Sequence, residues 1–292
     1  MRVKSMDEAL KVLVVGGMNV DILGTPENAY HPGDSLPGTI RLSVGGVGFN
    51  IASHLARSGA SLTFVTAIGN DAFAGITRKA CQALGLDTSL AYQFPGPSPT
   101  YMAIHQEDGK MAAAISDMAA MEHLDSAHLM AHQAALQKDY DICVVDANLP
   151  EDCLRLLPRL VRAPILADPV SVEKGRRLLP ILPDLFAIKP NALEVLALSG
   201  CRDIPEAANW FLDQGVRQVF ISLDQEGLYF ASAVGTGRLA PEKVLNVPST
   251  GAGDAMAAGL ARGIALKKSA EDTAKMGLSS AANHLNRKLM EV

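Results

Sequence analysis

Residues 248–259 read PSTGAGDAMAAG and pack three glycines, four alanines and one aspartate into twelve positions. A proline-marked, irregular stretch precedes them and a helical pattern follows. With a helix beginning near Gly253, the backbone N–H groups of Gly251, Ala252 and Gly253 point outward at the positive end of the helix dipole. That arrangement is an anion hole without a lysine. Asp254, in the first turn, could take a proton from an attacking hydroxyl while the amides hold charge on the transferred group. The same residues also suit an aspartate that only favours the helix dipole, with glycines for close packing.

Three further stretches place polar groups where ligands could reach them. In LSVGGVGFNIASHLARSG (residues 42–59), Gly45 and Gly46 let backbone approach a ligand, and Asn50 offers a donor and an acceptor on a helix's first turn. A tight strand-to-helix turn would use the same glycines. GGMNVD (residues 16–21) sets Asn19 and Asp21 just past a strand end, where a carboxylate can accept from two neighbouring sugar hydroxyls; an Asx-capped turn is the alternative. ADPVSVEKG and IKPNALEV each put polar groups directly after a buried strand. Asn191 and Glu194, three residues apart on one helical face, could hold water around a magnesium ion or form a capping box, and the two roles are compatible. The P-loop pattern GxxxxGK[ST] is absent, and so are a GxGxxG after a strand, HExxH and GxSxG.

Composition narrows the partners. Hydrophobic residues make up 48% and charged residues 20% of 292, enough for a large buried core and unlike a disordered chain. A net charge of −5 argues against a nucleic-acid or anionic-membrane surface, and 5% aromatic content against a base-stacking platform. A small-molecule substrate is the expectation. Cys81, Cys143, Cys153 and Cys201 are scattered without a CxxC pair, as in a reduced, cytoplasmic protein. His54, His123 and His128 read as surface or cap residues, and the seven histidines show no metal-ligand spacing. No charged leader with an apolar core opens the chain, and no apolar run approaches membrane-spanning length.

Positioning such groups falls to alternating elements. KVLVVGG, SLTFVTAIG, YDICVVDAN, APILADPV, LFAIKPN and RQVFISL are near-continuous apolar runs, as expected of strands buried on both faces of a parallel sheet. Between several of them lie helical patterns that close on glycine: NIASHLARSG, AGITRKACQALG and EAANWFLDQG. The alternation predicts an α/β fold with a doubly wound sheet and ligands beyond the strands' carboxyl ends. TYMAIHQEDGKMAAAIS (residues 100–116), turning at Asp108-Gly109, and GTIRLSV (residues 38–44) break the rhythm. They predict a small β lid, from segments near 34–44 and 92–117, on a single domain spanning residues 1–292.

In order along the chain, GGVGFNIA, KPNALE, SLDQEG and PSTGAGDAMAAG resemble the signature elements of the ribokinase-like (PfkB) family of carbohydrate and nucleoside kinases. The likeness runs from about residue 11 to 285. It implies a ribokinase-like doubly wound, mostly parallel sheet flanked by helices, and ATP-dependent phosphorylation of an alcohol. Asp254 would be the base and Gly251, Ala252 and Gly253 the anion hole. Within the family, NVDILG, PGTIRLSVGGVGFNIA, the lid segment and DPVSVEK are most similar to the pseudouridine kinase branch, which implies the ribose 5′-hydroxyl as acceptor. The resemblance then gives Asp21, Gly45, Gly46 and Asn50 to the ribose, and Asn19, Thr100, Ser116 and Lys174 to the base. It sets Asn191, Ser222 and Gly227 beside the nucleotide and magnesium near Asn191 and Glu194 through water. It also implies a monovalent cation such as K+ near the anion hole, and a homodimer formed through the lid. Leu36 and Phe49 replace an amide and a guanidinium usual in that branch, so the resemblance predicts a more apolar acceptor pocket. Asp224 stands where glycine is common. A further Asn-Pro element of relatives does not follow before Val292, which implies a more open adenine pocket.

Overall fold

A computed structural model describes residues 9–106, 110–241 and 251–290. The expected Asp108-Gly109 turn, the polar start of the chain and Pro248-Ser249-Thr250 lie outside the described residues. The strands follow in chain order: β1 (Lys11–Val15), β2 (Asn19–Pro26), β3 (Gly38–Gly45), β4 (Ser61–Val65), β5 (Ala67–Ile68), β6 (Tyr92–Gln93) and β7 (Thr100–His105). After them come β8 (Met111–Asp117), β9 (Ile142–Asp146), β10 (Ile165–Asp168), β11 (Ala187–Ile188), β12 (Gln218–Ser222), β13 (Leu228–Ser232) and β14 (Gly235–Leu239).

The larger sheet has the order β14-β13-β12-β11-β10-β9-β1-β4. Its strands from β12 to β4 are parallel, and β13 and β14 join antiparallel at one edge. All six apolar runs of the sequence fall among the parallel strands. Their side chains alternate between two cores: Leu13, Val15, Cys143 and Val145 enter one, Val12, Val14, Ile142 and Val144 the other. Helices Val47–Arg57, Ala252–Ala265 and Ala270–Met290 cover the second of these faces, and Glu151–Leu160, Ala192–Ser199 and Ile204–Asp213 the first. Gly59, Gly85 and Gly215, the predicted helix stops, have φ of +85°, +64° and +98°. From β1 the chain first adds β4 on one side, then returns to build β9 to β12 on the other. The order therefore reverses between β1 and β9, where a crevice opens beyond the carboxyl ends.

A smaller sheet, β3-β2-β7-β8, stands beside this one. The expected strands at residues 38–44 and 100–116 are both in it. The addition is β2: the NVDILGTP run is a strand pairing with both β3 and β7, so Asn19 and Asp21 lie in extended backbone and not in an Asx turn. Among the described residues all four cysteines are free thiols.

Candidate active site

Gly16 and Gly17 follow β1, and the helix Val47–Arg57 docks its first turn directly on them. A Cβ on Gly48 would sit 2.8 Å from the Gly16 carbonyl carbon, and the Phe49 N–H donates to the Gly17 oxygen at 3.1 Å. This close approach turns Asn50 toward the crevice. There its side-chain amide donates to Asp254 Oδ2 at 2.8 Å.

Asp254 belongs to the first turn of the helix Ala252–Ala265, whose N-cap is Gly251 in the left-handed region at φ +83°, with no side chain capping it. The N-cap residue itself therefore offers no side chain to the amides at this end. Burial drives the Asp254 carboxyl up to a pKa of about 7. The negative charges of Asp168 and Asp146 add to the rise, and the Asn50 amide and Lys189 oppose it. A carboxylate in that range exchanges a proton near neutral pH.

A lysine stands beside the expected anion hole, which the sequence pattern alone leaves without one. Lys189 directly follows β11, and its Nζ lies 3.5 Å from where a Cβ on Gly253 would stand, beside the same helix turn. It forms an ion pair with Asp168 Oδ2 at 3.2 Å, both side chains being only 7% exposed. Burial alone would lower the ammonium, but Asp168, Asp254 and Glu194 outweigh it and hold its pKa above the ordinary value. The sequence pattern missed this group because it approaches from another strand, 64 positions before Gly253.

Asp146 was missed for a similar reason. It ends β9 and is fully buried at the switch point, where it accepts the Gly17 N–H at 2.8 Å and the Asn148 N–H at 2.9 Å. Burial raises its pKa to about 6, the two amides opposing the rise and Asp168 adding to it. A Cβ on Gly16 would lie 2.5 Å from its Oδ2, so that glycine makes room for the carboxylate. Lys174 Nζ donates to Asn148 Oδ1 at 2.6 Å, which brings one expected base-recognition residue to the crevice. Burial lowers its pKa, with Asp146 offsetting part of that. The signal available in the sequence was an ionisable or amide group immediately after each apolar run.

The remaining expected acceptor residues divide by strand parity. Asn19 and Asp21 share a face of β2, and Asp21 pairs with Ser43, Tyr101 and, one strand on, Ser116. Asn19 Nδ2 donates to Asp21 Oδ1 at 2.6 Å. Burial raises the Asp21 carboxyl and this bond counters it in part. Any side chain on Gly45 would collide with the Asp21 carboxylate, and Gly46 has φ +96° with Gly17 O 2.7 Å from its would-be Cβ. Thr100 is not brought to this group. It pairs with Val20 and Asp117, on the opposite face, and its hydroxyl donates to Ser98 O at 3.0 Å. Phe49 is 6% exposed and belongs to the same apolar core cluster as Met18 and Ile51, while Leu36 is half-buried.

Asn191 and Glu194 form a full capping box, with the Asn191 N–H donating to Glu194 Oε2 at 2.9 Å and the Glu194 N–H to Asn191 Oδ1 at 2.8 Å. This engages one oxygen of each, leaving the second Glu194 oxygen outside the box. Burial, with Asp168 adding, raises the Glu194 carboxyl. A carboxylate oxygen beside further negative charge is the chemistry that magnesium takes, so the pair fits that ion, with Lys189 offsetting part of the charge. Ser222 bridges to Asn191, its N–H donating to Pro190 O at 3.0 Å. Gly227, at φ +93°, closes the β12–β13 turn, where a side chain would strike Leu239 O. Asp224 is exposed in that turn at φ +48°. His54 is half-buried, not a surface residue. Its ring meets His284 edge-on at 5.0 Å, and burial with the nearby His284, Arg287 and Arg57 pushes its pKa down to about 4. His284 Nε2 in turn lies 3.0 Å from the would-be Cβ of Gly251.

No described helix is long and apolar enough to cross a membrane, and among the described residues no group of three or more His, Cys, Asp or Glu side chains is placed to hold a metal. The doubly wound sheet thus presents a buried carboxylate, a lysine and a helix that begins on a glycine in one region. The chain belongs to the pfkB family of carbohydrate kinases, whose sequence profile matches residues 9–288. It is a phosphotransferase with an alcohol as acceptor. It is 32% identical to the pseudouridine kinase of Escherichia coli (strain K12), over 88% of this chain and 84% of that one. An uncharacterized sugar kinase of the same organism, YeiI, is also 32% identical, over 92% of this chain and 76% of the other. A ribokinase structure from Thermotoga maritima superposes with a TM-score of 0.84 at 23% identity, covering 94% of this chain and 93% of that one, and so shares the fold.

Proposed function

We propose that the protein moves the γ-phosphoryl of ATP to the ribose 5′-hydroxyl of pseudouridine, giving pseudouridine 5′-phosphate and ADP. The observation that carries the chemistry is Asp254, a buried carboxylate with a pKa of about 7 in the first turn of a helix that begins on Gly251. Its carboxylate takes the proton of the acceptor hydroxyl as that oxygen bonds to phosphorus and the bond from phosphorus to the ADP oxygen breaks. The proton stays on Asp254 until product leaves. The amides of Gly251, Ala252 and Gly253 hold charge on the transferred group. Magnesium, held through water by Asn191 and Glu194, would neutralise charge on the phosphates. Ser222 and Gly227 border the nucleotide.

For the acceptor, Asp21 and Asn50 take the ribose hydroxyls, with Gly45 and Gly46 allowing close approach. Asn19, Ser116 and Lys174 read the base. The smaller sheet acts as a lid over a single domain, and its outward apolar face is the homodimer contact. Similarity to a pseudouridine kinase over most of both chains favours this acceptor. Equal identity to a sugar kinase keeps ribose, another nucleoside or a hexose as the second reading.

A coupled ATP-consumption assay with magnesium, with and without potassium, tests both over pseudouridine, uridine, adenosine, ribose and fructose. The expected result is the highest kcat/KM with pseudouridine. Preference for a free sugar would replace the acceptor. Tight nucleoside binding without turnover of any acceptor would reduce the protein to a binding homologue.

A further inference from the structure

We infer that Lys189 is the cation of the phosphoryl cradle, delivered from β11 and not from the glycine loop. The inference rests on the phosphotransfer reading above and adds to it the group that makes a polyanion welcome. The backbone of Lys189 is fixed in the sheet, its N–H donating to Ala167 O at 2.9 Å. The ammonium is therefore held by the fold beside the first turn of the helix Ala252–Ala265, 3.5 Å from where a Cβ on Gly253 would stand. Four carboxylates crowd this part of the crevice. Asp168 is in contact with the lysine, Asp254 and Glu194 act on it through their charge, and Asp146 acts on Asp254. Without Lys189 the triphosphate would meet a wall of like charge.

An ammonium has three donors, and among the described residues Asp168 is the one in ion-pair contact with it. That leaves donors for phosphoryl oxygens. Stability alone is a poor reason for such a pair, since a buried ion pair is often no better than apolar residues of the same size. The arrangement makes sense as a binding device: Asp168 keeps the lysine charged and aimed, and the nucleotide supplies its second partner.

The test is calorimetric binding of ATP, ADP and adenosine, with EDTA present so that no metal takes part. It compares the native chain with Lys189→Arg, Lys189→Met and the double variant Lys189→Met/Asp168→Asn. The double variant matters because Lys189→Met alone strands a buried carboxylate and can cost the fold. In the double variant we expect ATP affinity to fall by roughly tenfold or more, the scale of a lost charged hydrogen bond, with adenosine affinity unchanged. Lys189→Arg should stay within about threefold of the native chain. A folded double variant with native ATP affinity would overturn the inference. So would an equal loss for ATP and adenosine, the mark of a merely structural pair. A native chain that binds ATP and phosphorylates no acceptor would instead sink the functional reading, with the ATP-to-adenosine ratio still deciding Lys189.

Discussion

Asn50 and Asp254, 204 positions apart, meet in a 2.8 Å hydrogen bond that joins the first turn of the helix Val47–Arg57 to that of the helix Ala252–Ala265. The amide steadies the ionised carboxylate against a burial that favours the neutral acid. If Asp254 must be ionised to take a proton, kcat/KM should rise with pH through a midpoint near its pKa of about 7. Asn50→Ala removes an interaction that lowers this pKa, so the midpoint should move upward and activity at pH 7 should fall. A pH–rate profile with an unmoved midpoint would separate Asn50 from the base.

Replacing the base itself should act on rate and stability in opposite directions. Asp254→Asn is expected to lower turnover by about 10²–10⁴-fold, the usual worth of a positioned general base. The carboxyl has an ordinary pKa of 3.8 and stands at about 7 in the fold. Its contribution to stability is thus fully present below about pH 4 and is lost as pH rises through about 7. Asp254→Asn should therefore melt higher than the native chain at pH 8, with the gain vanishing at pH 4. Thermal melts at the two pH values check the sign.

Gly48 should resist a substitution that helices usually welcome. Gly→Ala in a helix interior normally gains up to about 1 kcal/mol. Here the new Cβ would meet the Gly16 carbonyl carbon at 2.8 Å and the Gly17 nitrogen at 2.9 Å, both backbone atoms. Gly48→Ala should instead cost about 1–3 kcal/mol, the range of overpacking. A lower urea midpoint at unchanged m-value would register it; a raised midpoint would show that the helix can lift off β1.

The outward face of the smaller sheet carries the proposed dimer. Leu42, Ile22, Met102 and Ile115 line up across four strands in one register, with Ile40 beside them. Leu42 is 52%, Ile115 66% and Ile40 75% exposed. An apolar row on a lone sheet face is costly in water unless covered. Sedimentation should give a dimer for the native chain and a monomer for Leu42→Glu/Ile115→Glu. A native monomer at tens of micromolar would remove the proposal.

Much of the architecture could be read directly along the chain, because its signals are local. The six apolar runs became the six parallel strands, since strands buried on both faces need no polar alternation. The glycines closing three helical patterns took up positive φ. β2 was hidden because its residues, NVDILGTP, mix polar and apolar side chains at the seam between two sheets. Likewise β13 and β14 form a hairpin edge whose short runs carry little periodicity.

By itself the sequence determined which residues could carry chemistry and the kind of loop that presents them. Gly251 with Asp254, and Asn191 with Glu194, owe their relation to spacing of three residues, which a helix end converts directly into geometry. Tertiary structure decided everything that depends on separate strands arriving together. Only the switch point between β1 and β9 sets Asp146 on Gly17, only β11 brings Lys189 to Gly253, and only register turns Thr100 away from Asp21. The physical reason is common to all three. Strand order and pleat parity decide which side chains share a space, and neither is visible in the spacing of residues along one chain.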